Sequence, residues 1–112
     1  MEPMSLTELA AEHLAAAHPA SSGRSSVTVG GGREHNMRQN LLALVAGQEL
    51  GEHESPGEAS LQVIQGEVRL SAGGASWELH AGDYMLIPRE RHDLKALSDA
   101  VVLLTVVKEH HH

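Results

Sequence analysis

The 112-residue sequence contains no cysteine and no phenylalanine, and its only large aromatic rings are Trp77 and Tyr84. Without cysteine there is no disulfide, no thiolate zinc site and no cysteine nucleophile, so any metal has to be held by imidazole, carboxylate or water. A core this poor in aromatics has to be assembled from Leu, Val, Ile, Ala and Met. Positive charge is also scarce: 8 Lys and Arg stand against 15 Asp and Glu, a formal net charge of -7. Such a surface repels phosphate backbones and anionic lipid, so neither nucleic acid nor a membrane is expected as a partner. No apolar run reaches the length of a membrane span, and the first residues lack the basic-then-apolar order of a signal peptide. The cytoplasm is therefore the expected compartment.

What is present fits one domain, because a chain of this length buries roughly two-thirds of its unfolded surface in a single core. Ser5-Leu6-Thr7-Glu8 forms a capping box, and Leu6, Leu9, His13, Leu14 and Ala17 follow at helical spacing before Pro19. The stripe is narrow and Ala-rich, which suits packing on the outside of a barrel or on a neighbouring subunit. Residues 21–26 read as a polar connector. From Val27 onward the texture is of short strands punctuated by Gly and Pro: 27–29, 37–46, 49–53, 59–65, 68–71, 75–79, 84–87, 92–97 and 101–107. This predicts an all-β sandwich or barrel, with residues 1–26 as helix and linker and 27–108 as the barrel. The last strand is apolar on both parities, which predicts that both of its faces are covered and, for so small a barrel, a homodimer. Trp77 and Tyr84 are read as packing anchors, and His13, His18, His35 and His80 as surface or cap residues. His110 to His112 end the chain as a consecutive run and are set aside as a purification-tag remnant.

Two stretches go further than fold class. Gly47 to Ser55, with His53-Glu54-Ser55 at its end and then Ala59 and Gly66, resembles the first motif of the cupin family. Gly82 to Pro88, followed by His92, is similar to the second, and the fifteen residues Glu67 to Ala81 form a short interval between them. The resemblance covers roughly residues 41–107 and implies a cupin jelly-roll β-barrel. It also implies a metal site of three imidazoles and one carboxylate, but this sequence departs from that set. Ser55 stands at the second His, Ala59 at the Glu, and Ala96 at a final Asn. The loop from Pro88 to His92 is one residue short and carries Arg89-Glu90-Arg91 in place of a Gly-containing stretch.

The resemblance thus leaves His53 and His92 as the metal candidates, and a serine hydroxyl is a poor substitute ligand. Two carboxylates are candidates to complete the set. Glu58 faces out if Leu61 and Val63 face the core, unless a bulge after Pro56-Gly57 turns it inward. Glu49 has the parity of His53 on a regular strand. Ser55, Leu61 and Val63 are the candidate ligand-lining residues. Three functions follow. The first is a weakly catalytic or non-catalytic cupin binding a small molecule, with or without a divalent Fe, Mn, Ni, Cu or Zn. The second is a metal-dependent dioxygenase or isomerase using His53, His92 and a carboxylate, and the third a regulatory or interaction module. A ligand binder should have a ligand-sized apolar interior, whereas an interaction module should have a filled interior and an apolar patch elsewhere.

Overall fold

A computed structural model of the chain describes residues 2–31, 34–54 and 57–108, with backbone alone at 52 and 53. Ser55 and the terminal His run lie outside the described residues. The described part forms one helix, α1 (Leu6–Ala17), and nine strands: β1 (Arg24–Gly31), β2 (Met37–Leu44), β3 (Glu49–His53), β4 (Gly57–Gln65), β5 (Glu67–Ala72), β6 (Ala75–His80), β7 (Tyr84–Leu86), β8 (His92–Ala96) and β9 (Ala100–Lys108). No helix among the described residues is long and apolar enough to cross a membrane.

The strands form two antiparallel sheets, one ordered β1-β2-β9-β4-β7 and the other β3-β8-β5-β6. This is the expected all-β jelly roll with a short N-terminal helix. Its hydrogen bonding, however, stops at the sheet edges, so the barrel is a sandwich of two facing sheets rather than a closed ring. Strand alternation fills the space between them. On β4, Ala59, Leu61 and Val63 are buried and meet Leu70, Leu94 and Val102 from other strands, while Glu58 and Gln62, of the opposite parity, are exposed.

The helix covers the outer face of the five-stranded sheet. Ser5 caps it by accepting from the Glu8 N–H at 3.1 Å, as the capping box predicts. Ala10 and Ala17 are buried against Leu41, Ala43, Val101 and Leu103. Strand β9 is thus covered on both faces, Val102 inside the sandwich and Val101 under the helix. That removes one ground for the homodimer, because the chain's own helix supplies the cover at this end of the strand.

Three further expectations are corrected. The connector over 21–26 is shorter than its polarity suggested, because Arg24 to Ser26 pair with Leu44, Ala43 and Leu42 as the start of edge strand β1. Trp77 and Tyr84 are not packing anchors: they are 39% and 61% exposed. Trp77 is the backbone partner of Leu70, which puts it on the inward side, but β6 is an edge strand and leaves the ring half covered. Tyr84 pairs with Gln62 and shares its outward face.

Two contacts lock the ends of the sandwich. Gly66 makes the β4–β5 turn at φ +80°, and a Cβ there would collide with the Asp99 carbonyl, so this turn accepts only glycine. Asp99 accepts from the Ala46 N–H at 2.9 Å and bonds the His18 Nε2 at 2.7 Å, tying the helix C-terminus to the β8–β9 connection. The Ala46 N–H first, and His18 second, hold the Asp99 carboxyl below its ordinary value.

Candidate functional site

His92 opens β8, where the chain re-enters the sandwich after the loop 88–91. Its neighbour across the sheet on one side is Ala72 and on the other His53, its backbone partner on β3. The register thus sets the two histidines of the motifs opposite each other in the backbone; the His53 side chain lies outside the description. A register shift between Leu50 and His53 makes that pairing. The same shift spoils the parity argument for Glu49, which pairs with Lys95 on the outer side and reaches its ammonium at 3.8 Å. The bulge that turns a side chain therefore lies on β3, not beside Glu58, and carries Glu49 outward.

Glu58 is exposed, opposite Val107 on β9, and the pairing is regular from Gly57 to Val63. The bulge that would turn it inward is absent from that stretch. At the two motif positions where a polar group is missing, the structure places Ala59 and Ala96 inward, 7% and 0% exposed, as core residues. Among the described residues no group of three or more His, Asp or Glu is placed to hold a metal ion. The described residues therefore do not fit a catalytic metal of the three-imidazole, one-carboxylate kind.

His92 itself is well held. It is 3% exposed, the only buried polar side chain among the described residues. Its Nδ1 lies 3.0 Å from the Glu90 carbonyl oxygen, which can only accept, so the neutral ring carries its proton on Nδ1 and its lone pair on Nε2. The Glu90 side chain packs over the β5–β6 turn at Gly73, where a Cβ would collide with its carboxylate. Loop, turn and ring thus form one braced unit.

Below His92 the sandwich is nearly full. Leu50, Leu61, Leu70, Ile87, Leu94 and Leu104 leave with it a space of about 10 Å³, roughly the room one water needs. Leu61, a candidate ligand-lining residue, borders this space, whereas Val63 lies deeper in the core against Val102. Beside His92 on the solvent side is an open cleft of about 370 Å³, bordered by the Ser71 to Ser76 hairpin with Arg91 and Asp93. The sequence did not signal this cleft, whose hairpin end reads as an ordinary Gly-Gly turn.

Residues 40–108 match the family model described as Cupin domain. This chain belongs to the cupin family. Solved cupin-fold structures agree. A conserved protein of unknown function from Streptococcus pyogenes is 25% identical, over 82% of this chain and 80% of its own, with a TM-score of 0.73. An RmlC-like cupin from Desulfovibrio desulfuricans is 26% identical, over 75% and 81%, with a TM-score of 0.65. A salicylate 1,2-dioxygenase from Pseudaminobacter salicylatoxidans is 18% identical, over 89% of this chain but 33% of its own, with a TM-score of 0.75, a likeness of fold alone. A comparison with curated proteins finds no match.

Proposed function

We propose that this cupin is a small-molecule-binding protein of weak or no catalytic power, which takes its ligand at the mouth of the sandwich through His92. The carrying observation is the buried His92 ring, its tautomer set by the Glu90 carbonyl, on the edge of a cleft of about 370 Å³. A ring fixed in this way meets a ligand at the cleft edge with little further loss of freedom. The leucine filling beneath it keeps a ligand of any size in the cleft and out of the interior. A divalent Fe, Mn, Ni, Cu or Zn fits this reading only as an accessory to His92 and His53, because two imidazoles without a carboxylate make a weak site. The dioxygenase or isomerase reading needs a carboxylate that neither Glu58 nor Glu49 is placed to give. A cysteine-free chain with no membrane-spanning helix among its described residues suits work in the cytoplasm.

The test uses the chain without its terminal His run. Elemental analysis after chelator-free purification is expected to find well under one metal per chain, and calorimetric titration with Ni²⁺ to find weak binding that His92→Ala removes. A panel of small polar metabolites, screened by thermal shift, is expected to yield stabilising ligands that fail with His92→Ala. Stoichiometric metal that survives dialysis would overturn the proposal in favour of the enzyme.

A further inference from the structure

A second open cleft, of about 390 Å³, runs between the start of α1 and the middle of β1 and shares no residue with the cleft beside His92. Leu9 from the helix and Val27 and Val29 from the strand form its apolar walls, each half-buried and packed on the core under α1. Met4, 54% exposed, adds a further apolar surface. The walls are held before any ligand arrives. The Ser5 cap fixes the first helical turn, and His13 Nδ1 lies 2.7 Å from Ser25 Oγ, which ties the helix to β1 two residues before Val27. Of the polar side chains at this cleft, two are already engaged: Ser5 accepts from the Glu8 N–H, and Thr28 donates to Asn40 Oδ1 at 2.8 Å. What is left is carboxylate. Glu8 and Glu12 are both exposed and stand one turn apart on α1. Among the described residues no cation pairs with either, and no Lys, Arg or His borders the cleft. Like charges at this spacing weaken the helix that carries them. Glu8, in the first turn, is compensated by the positive end of the helix, but Glu12 lies beyond that reach.

We infer that this cleft binds a small amphipathic amine, its protonated nitrogen at Glu8 and Glu12 and its carbon chain along Met4, Leu9, Val27 and Val29. Each part of that chemistry is selected by a different observation. Two carboxylates on a chain of net charge -7 repel an anion and attract a cation. Among the described residues no three His, Asp or Glu are placed to hold a metal ion, whereas an ammonium is held by two carboxylates as a point charge. A bare ammonium gains nothing from valine and leucine, so the apolar walls call for carbon attached to it. Size selects a free small molecule over a protein. The volume lies in the range of ligand pockets, and four apolar side chains fall far short of the roughly 20–30 residues a side of a stable protein interface. The site stands independently of what His92 binds.

The probe is n-hexylamine at neutral pH, titrated into the chain without its terminal His run and followed by methyl carbon–proton correlation spectra. Saturable shifts are expected at Met4, Leu9, Val27 and Val29, with a dissociation constant of about 1 mM or below. Ethylamine, which is four methylenes shorter, should bind at least about tenfold more weakly, and hexanoate should leave these methyls in place. Glu12→Gln should weaken hexylamine binding about threefold to fivefold, and Val29→Ser should weaken it through the apolar wall. His92→Ala should leave it unchanged, which separates this site from the one proposed at His92. Hexanoate that binds as tightly as the amine, Glu12→Gln that binds as wild type does, or shifts that fall elsewhere in the protein would each overturn the inference. If the amine fails and a short lysine-containing peptide moves the same methyls, the face is a protein interface and the inference falls.

Discussion

Replacing Ala59 by Glu would put back a carboxylate where the family motif carries one, and the structure fixes what that should do. Ala59 is 7% exposed, faces inward opposite Val106, and accepts the Ile87 N–H through its carbonyl at 2.9 Å. A carboxylate there is desolvated among leucines, which raises its folded pKa above the unfolded value near 4.3. A rise of about 3 units corresponds to a loss of roughly 4 kcal/mol at neutral pH, since each unit is worth about 1.4 kcal/mol. The sign follows from linkage. The acid is protonated in both states below about pH 4, so the penalty is absent there, and it grows as pH rises toward the folded pKa. Ala59→Glu should thus melt far below wild type at pH 7.5 and much less so at pH 4, where only the cost of fitting the neutral side chain into a filled interior remains. If the new carboxylate joins His53 and His92 around a cation, Mn²⁺ or Zn²⁺ at a hundred times its dissociation constant returns about 2.7 kcal/mol. Thermal unfolding followed by circular dichroism, at both pH values and with and without metal, reads every part of this. A melting temperature of the variant that ignores metal at pH 7.5 would refute the expectation that a carboxylate at position 59 completes a cation site with His92. One that ignores pH would refute the inward placement of position 59.

Other perturbations probe the scaffold. Leu61→Ala, at a fully buried position bordering the space under His92, should cost about 2–5 kcal/mol in urea unfolding, whereas Tyr84→Ala, at an exposed position, should change stability by less than about 0.5 kcal/mol. Gly66→Ala combines a φ of +80° with a collision against Asp99 and should cost more than the roughly 1 kcal/mol typical of glycine replacement, read as a large fall in melting temperature. Asp99→Asn should destabilise the protein at neutral pH and loosen α1, seen as faster amide exchange over Leu14 to His18. Because the Asp99 carboxyl is held below its ordinary value, its contribution is present above the unfolded pKa and disappears as pH falls through the lower folded value, so variant and wild type should converge in acid.

Much of this architecture is legible in the residues, and β4 shows why. Its sequence alternates strictly, Ala59, Leu61 and Val63 against Glu58, Ser60 and Gln62, and a strand buried on one face has only one register that satisfies that pattern. The N-cap of α1 is legible for a similar reason, since Ser5 and Glu8 meet through a local bond that needs no tertiary context. Glu49 is illegible because the register shift on β3 inverts its parity, and nothing in Glu49-Leu50-Gly51 marks the irregularity except one glycine. Trp77 and Tyr84 mislead because burial of an aromatic depends on whether its strand lies at the centre or the edge of a sheet, which β6 and β7 do not announce.

On the proposed reading, the leucine filling and the alanines at positions 59 and 96 belong together. A metal-centred cupin interior has to keep polar groups, water and open coordination sites between its sheets, and each of these weakens apolar packing there. Once positions 59 and 96 carry methyl groups, nothing polar needs room below His92, and Leu50, Leu61, Leu70, Leu94 and Leu104 close on one another until about 10 Å³ is left. That closure suits a chain with neither cysteine nor phenylalanine, because branched aliphatic side chains are what remains to hold two small sheets together. On the proposed function, the ligand site therefore lies outward, at the ring of His92 and the cleft beside it.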